Sequence, residues 1–119
     1  MVTDKKAPYG DITISKEAIN AVAGEAAAEC YGVVGLAPRS LLSKNIGKLL
    51  KKEEYGEGVY IRRRKDDYEV DLYIAVAYGV KVTEVSSEAQ QKVAYVLQKT
   101  FGFPFRTVNV YVQDIREIN

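Results

Sequence analysis

Hydrophobic and polar residues alternate in four parts of the chain, and this alternation predicts β-strands. In the third strand, Leu72 and Ile74 point to the same side of the sheet, and in the fourth strand Val108 and Val110 do so. The acidic pair Asp66-Asp67 predicts a turn that joins the second and third strands into a hairpin. An apolar segment between glycines, over residues 31–38, predicts a further brief strand or a packed connection. The four alternating segments are residues 10–14, 59–65, 69–78 and 107–113.

Apolar residues with helical spacing predict three helices. The first covers residues 16–30, with Ser15 as its N-cap, and its buried side is mostly alanine with Gly24, which indicates a close approach to the element that it covers, expected to be the sheet. The second covers residues 39–52. The third is capped by Thr83 or Ser86 and ends at Gly102 and Pro104.

Together these elements predict an α+β fold in the order β-α-(β)-α-β-β-α-β. We expect a single two-layer domain over residues 9–119, preceded by a flexible tail over residues 1–8. Its sheet of about four strands is covered on one face by helices. The residues expected on the covered side are Ile12, Ile14, Leu72, Ile74, Val108 and Val110.

Composition narrows the classes of function. The 119 residues carry 17 Lys+Arg and 16 Asp+Glu, a net charge of +1, which excludes a uniformly basic nucleic-acid binder but not a local basic patch. The chain has no histidine, which excludes Ser-His and Cys-His catalytic pairs. Its one cysteine, Cys30, excludes a cysteine-cluster metal site. We therefore expect no enzymatic activity, no catalytic residue, no metal and no cofactor.

Residues 39–52 form the first candidate interface. In a helix, Leu42, Ile46, Leu49 and Leu50 share one face, and four lysines share the opposite face. We expect the apolar stripe to be buried within the domain, and the positive face to meet an acidic partner or an anionic membrane surface; an ordinary surface helix is the alternative. The four candidate lysines are Lys44, Lys48, Lys51 and Lys52.

The sheet face away from the helices is the second candidate. Tyr60, Tyr73 and Tyr111 point to it, together with Asn109, and tyrosine suits protein interfaces because it buries area and keeps a polar tip. Arg62 and Arg64 lie on the same alternation as Tyr60, so stacking of nucleic-acid bases is the alternative for this face. We do not expect specific nucleic-acid binding at physiological salt.

The remaining motifs favour structural roles. Cys30 lies on the apolar side of the first helix, without a histidine to activate it. The acidic residues around Asp66-Asp67 lack the glycine and spacing of a calcium loop. The sequence Gly32-Val33-Val34-Gly35 matches the GxxG loop of KH domains, but its two valines offer no phosphate donor side chain.

The chain resembles the alkaline shock protein 23 family, also called the general-stress-24-like family. The residues that carry this resemblance are the strand-to-helix join Tyr9–Ser15, the helix motif Ala23–Ala27 and the segment Tyr31–Gly35. In the second half, the strand that ends at Tyr78-Gly79, the last helix and the Val108-Asn109-Val110 strand also match. The length and the ending are most similar to the short YloU-like members.

The resemblance implies a cytoplasmic protein of bacteria, acting in envelope stress or homeostasis without a catalytic motif. It also implies protein partners: a membrane-anchored protein, a neighbouring kinase of the fatty-acid or dihydroxyacetone type, or further copies of the same chain. A link to lipid metabolism would then run through such a kinase. Contact with the inner face of the membrane would be peripheral.

Overall fold

The computed structural model describes residues 3–4, 13–63, 68–102, 105 and 107–117. The helices are α1 (Lys16–Ala28) and α2 (Val82–Phe101), with a 3-10 helix at Lys52–Glu57. Neither α-helix has the length and apolar character that a bilayer-spanning segment needs, as far as the described residues go. The strands are β1 (Thr3–Asp4), β2 (Thr13–Ile14), β3 (Val33–Leu36), β4 (Val59–Arg63), β5 (Tyr68–Ala77) and β6 (Thr107–Arg116).

Strand β5 is the centre of the main sheet. On one side it pairs in parallel with β6, from Glu69 opposite Thr107 to Ala77 opposite Arg116. On its other side it pairs antiparallel with two strands in succession, first β4 and then β3. The predicted hairpin and the predicted short strand are thus confirmed, whereas the turn at Asp66-Asp67 lies outside the described residues. β1 and β2 form a separate two-stranded sheet.

Both α-helices pack on the same face of the sheet, which confirms the α+β two-layer fold. The first places Ile19, Ala23 and Ala27 in the core, and the second places Val85, Ala89, Val93 and Leu97 there. From the sheet, Leu72 and Ile74 are fully buried, Val108 is buried and Val110 is half-buried. Ile12 and the side chain of Ile14 lie outside what the structure describes.

Helix boundaries differ from prediction at two points, the end of α1 and the start of α2. Ser15 caps α1 as expected, because its Oγ accepts a hydrogen bond from the Ala18 amide at 3.1 Å, but the helix ends at Ala28 rather than at residue 30. The prediction that Thr83 or Ser86 caps α2 is wrong, since Lys81 is the N-cap residue and makes no side-chain cap. Gly102 ends α2 at φ +79°, a left-handed conformation that glycine adopts without strain.

The predicted helix over residues 39–52 does not form; a chain of turns takes its place before the 3-10 helix. The Oγ of Ser40 accepts the amide hydrogen of Leu42 at 3.0 Å, and the Oγ of Ser43 accepts that of Asn45 at 2.9 Å. Such local bonds compete with helical ones. Gly47 adopts φ +83°, which also interrupts a right-handed helix.

The predicted tail over residues 1–8 lies mostly outside the described residues. Within it, Thr3 pairs with Ile14, and Asp4 pairs with Thr13.

Candidate functional site

The sheet face away from the helices brings together most of the predicted tyrosines and arginines. We call the tyrosine–arginine face the set formed by Tyr60 and Arg62 of β4, Asp71 and Tyr73 of β5, and Asn109 and Tyr111 of β6, with Glu69 beside them. The register explains the grouping, because it sets Tyr60 opposite Asp71, Asp71 opposite Asn109, and Tyr73 opposite Tyr111. Side chains of directly opposite residues on one sheet face are close enough to interact.

Arg62 is the centre of a charged network on this face. Its Nη2 lies 2.8 Å from Glu69 Oε2, and its Nη1 lies 3.0 Å from Asp71 Oδ2. The Asn109 Nδ2 donates to both carboxylates, at 2.8 Å each. The side chains of Glu69 and Asp71 are only 10% and 5% exposed, against 40% for Arg62. Two nearly buried carboxylates are therefore satisfied by one guanidinium and one amide.

This pairing raises the pKa of Arg62 above its ordinary value. The largest cause is the hydrogen bond to Glu69, and the charge of Asp71 adds to it. Arginine is already charged at every physiological pH, so the network holds a permanent cation.

The tyrosines on this face form two aromatic contacts. The rings of Tyr73 and Tyr111 stack with their centroids 5.0 Å apart. Two guanidiniums lie near the ring of Tyr60: the Cζ of Arg39 is 4.0 Å from its centroid, and the Cζ of Arg62 is 5.6 Å away. Both distances are within the range of cation–π attraction. Burial is the largest cause that raises the pKa of the Tyr73 hydroxyl, followed by the charge of Asp71.

One half of this sheet face is covered and the other half is open. Toward the end of β5, Gln113 Nε2 of β6 donates a hydrogen bond to the Pro38 carbonyl at 3.3 Å. Ala75 of β5 is fully buried there. Toward its start, Tyr60 and Tyr111 are 40% and 43% exposed. The open half is thus a flat aromatic and charged surface.

One candidate arginine and one arginine that was not a candidate need separate mention. Arg64 lies outside the described residues. Arg39, which sequence reasoning placed at the start of a helix, belongs to this face through its contact with Tyr60. Its place depends on the backbone after β3, where the Arg39 amide donates to the Glu57 carbonyl at 2.8 Å, and no periodic pattern signals such a bond.

The four candidate lysines do not share a helix face, because the helix that would align them is absent. All four are exposed, and Lys52 forms a 3.7 Å ion pair with Glu25 of α1. The apolar stripe expected beneath them is divided as well. Leu50 is buried and Leu49 is half-buried, but Leu42 and Ile46 are 94% and 50% exposed, so the prediction of a fully buried stripe is wrong.

The described residues show no cluster of side chains suited to a metal ion. Within them, no three His, Cys, Asp or Glu side chains come together as a metal ion would need. The thiol of Cys30 is 9% exposed and lies 3.5 Å from the Ala26 carbonyl. Burial is the largest cause that raises the pKa of this thiol, so less thiolate is present at neutral pH.

Comparison with known proteins relates residues 4–117 to the alkaline shock protein 23 family, a family of cell envelope-related function. The uncharacterized protein YloU of Bacillus subtilis (strain 168) is 40% identical over 119 residues, which are 100% of this chain and 99% of YloU. The uncharacterized protein Spy1614 of Streptococcus pyogenes serotype M6 is 39% identical over 109 residues, covering 92% of this chain and 90% of that protein. The family resemblance read from the sequence is therefore confirmed.

Solved structures of the MamM CTD have a similar fold. One variant matches with a TM-score of 0.59 at 19% identity, over 89% of this chain and 88% of that chain. A copper form matches with a TM-score of 0.52 at 19% identity, over 87% and 89% of the two chains. At such identity the likeness concerns the fold alone.

Proposed function

Because the chain belongs to the alkaline shock protein 23 family, whose function is cell envelope-related, we propose that it is a non-catalytic module that binds a protein partner through its tyrosine–arginine face. The observation that supports this is the open half of that face. It presents the stacked pair Tyr73–Tyr111 and the Arg39–Tyr60 contact on a sheet whose opposite side carries both α-helices.

The chemistry of the face suits protein binding. Tyrosine and arginine are enriched among the residues that contribute most to interface affinity. Stacked rings held on paired strands lose little conformational freedom on binding. The Glu69 and Asp71 carboxylates are engaged by Arg62 and Asn109, so this face lacks the free acid–base pair that a catalytic site would use.

The partner classes are those that the family resemblance implies. A membrane-anchored protein would place the domain at the envelope, a kinase of the fatty-acid or dihydroxyacetone type would link it to lipid metabolism, and a second copy would build an oligomer. All three are proteins, so one experiment addresses them together.

Cross-linking in the native cells, followed by quantitative mass spectrometry, tests this proposal. Replacing Tyr60 and Tyr111 by alanine should reduce recovery of the specific partner about tenfold or more, since interface hot spots contribute about 2 kcal/mol or more. The matched control is Tyr95→Ala, because Tyr95 is 63% exposed but lies on α2. Equal recovery from both variants, with folding intact by circular dichroism, would refute the proposal.

Binding of nucleic acid is the alternative for the same face. The Arg62 guanidinium already contacts two carboxylates, which reduces its availability for phosphate. We therefore expect no specific complex with RNA or DNA at physiological salt. A tight, sequence-selective complex that is lost on combining Arg62→Ala with Arg64→Ala would favour the alternative instead.

A further inference from the structure

In the segment between β3 and the 3-10 helix, some polar side chains are buried and several large apolar side chains are exposed. Asn45 is only 8% exposed and Ser43 is half-buried, whereas Leu41 and Leu42 are 78% and 94% exposed. Ile46 is 50% exposed. Soluble proteins ordinarily bury large apolar residues and expose polar ones. We call residues 39–48 the inverted loop.

Specific hydrogen bonds maintain this inversion. The Glu57 carboxylate accepts from the Ser43 hydroxyl and, at 2.9 Å, from Asn45 Nδ2. On the other side of the loop, Arg116 Nη2 donates to the Gly47 carbonyl at 2.6 Å. The exposed leucines therefore belong to an ordered series of turns that is tied to the 3-10 helix through Glu57 and to β6 through Arg116.

The charged side chains that this segment itself carries are all positive. Residues 39–52 contain five basic and no acidic side chains. Lys44 and Lys48 are exposed and stand within two residues of Leu42 and Ile46, respectively. Two carboxylates lie beside the loop: Glu57 accepts hydrogen bonds from Ser43 and Asn45 of the loop and keeps its negative charge, and Asp114 pairs with Arg116 at 2.8 Å. Exposed apolar side chains next to lysines that form no ion pair among the described residues suit binding to the surface of an anionic lipid bilayer.

We propose that the inverted loop docks the domain on an anionic bilayer surface, with Leu41, Leu42 and Ile46 entering the headgroup region and Lys44 and Lys48 near lipid phosphates. A bilayer accommodates a protruding apolar tip such as the 94% exposed Leu42 without a complementary pocket. Because the loop is already ordered, insertion requires little further loss of conformational freedom. This surface adjoins the tyrosine–arginine face, because Arg39 belongs to both, but the two proposals depend on different side chains, so each can fail without the other.

Co-sedimentation with protein-free vesicles provides the first test. The full chain should bind vesicles of phosphatidylglycerol and phosphatidylcholine, should not bind pure phosphatidylcholine, and should dissociate when salt shortens the Debye length. Failure to bind the anionic vesicles at low salt would overturn the proposal.

Matched variants separate the apolar and charged contributions. Ile46→Ser should weaken binding severalfold, and adding Leu41→Ser and Leu42→Ser should weaken it at least about tenfold. Ile115→Ser is the matched control, because Ile115 is 52% exposed on β6. Lys44→Glu with Lys48→Glu should abolish binding, whereas Lys81→Glu with Lys99→Glu makes the same charge change at the two ends of α2 and should retain most of it. Equal losses in test and control variants would contradict docking by this loop.

Fluorescence tests insertion directly, because the chain contains no tryptophan. The emission of a Leu42→Trp variant should shift to the blue on addition of anionic vesicles, while that of Tyr95→Trp on α2 should not. An unshifted Leu42→Trp spectrum would overturn insertion. A different result would be that the wild-type chain does not bind vesicles, while the serine variants no longer cross-link an envelope protein in cells. The loop would then dock on a protein, and the lipid proposal would be wrong.

Discussion

Gly24 shows how a single missing side chain positions an element. A Cβ placed on this residue would lie 2.2 Å from Cδ2 of the Tyr55 ring, far inside van der Waals contact. The sequence indicated a close approach at Gly24 and favoured the sheet as the neighbour, whereas the approaching group is Tyr55 of the 3-10 helix. Glycine here allows the 3-10 helix to pack directly against α1.

We predict that Gly24→Ala destabilises the protein, although alanine favours helices by about 1 kcal/mol over glycine. Overpacking against Tyr55 costs about 1–3 kcal/mol and should exceed that gain. In a Tyr55→Ala background the clash disappears, so the same substitution should become neutral or stabilising. Urea unfolding of the four proteins measures this coupling; additive effects would show that the clash is relieved at no cost.

The inverted loop shows where hydrophobic periodicity stops being informative. Leu42, Ile46, Leu49 and Leu50 have helical spacing, and a helix was the reasonable prediction from that pattern. The deciding signals were the serines at positions 40 and 43, whose hydroxyls bind nearby amides, and the need for a positive φ at Gly47. These are local and polar, so a hydrophobic pattern does not register them.

We predict that Glu57→Ala loosens this loop. The substitution leaves the side-chain amide of Asn45 without its carboxylate partner, and this residue is only 8% exposed. An unsatisfied buried polar group costs about 1–3 kcal/mol. Hydrogen exchange of the amides over residues 40–48 should become faster than in the wild type. Glu53→Ala, an exposed position of the same 3-10 helix, is the control and should leave exchange unchanged. Unchanged exchange in both variants would mean that other bonds suffice to hold the loop.

Across the domain, alternation predicted faces correctly but could not predict neighbours. The outward positions of Tyr60, Tyr73 and Tyr111 follow from a period of two residues. Their pairing depends on the register, which puts Tyr111 beside Tyr73, and on the path after β3, which puts Arg39 over Tyr60. Register and long connections depend on the packing of the whole domain, so the contents of the face were predictable and its contacts were not.

Cys30 reports on the integrity of the whole domain. It lies just after α1, and α1 is tied to α2 by the 3.2 Å ion pair between Glu29 and Lys92. We predict that a thiol reagent labels the native protein far more slowly than the unfolded chain, because the thiol is buried and its pKa is raised. Gly24→Ala should accelerate labelling in proportion to its loss of stability. Labelling that is fast in the wild type and insensitive to Gly24→Ala would contradict this.

The direction of the pH effect follows from the same shift. The folded thiol holds its proton to higher pH than the unfolded thiol, because burial raises its pKa above the ordinary value of 9.0. The contribution to stability is therefore complete below the unfolded pKa and is lost as the pH rises through the folded pKa. Relative to Cys30→Ala, the wild type should lose stability in alkali.

The hydrogen bonds of Tyr73 define the two ends of an interchangeable segment. Its carbonyl accepts a hydrogen bond from the Ala37 amide, and its amide donates one to the Gly58 carbonyl, both at 2.9 Å. The chain therefore leaves the sheet after Ala37 and rejoins it at Gly58 beside the same residue, Tyr73. Extending a loop whose ends are already held together costs little, since the closure entropy grows only with the logarithm of length. Residues 38–57 can accordingly change in length while the sheet keeps its arrangement, provided that Leu50 and Tyr55 keep their places against the core. Changes confined to this one segment would therefore be enough to redirect where the domain binds.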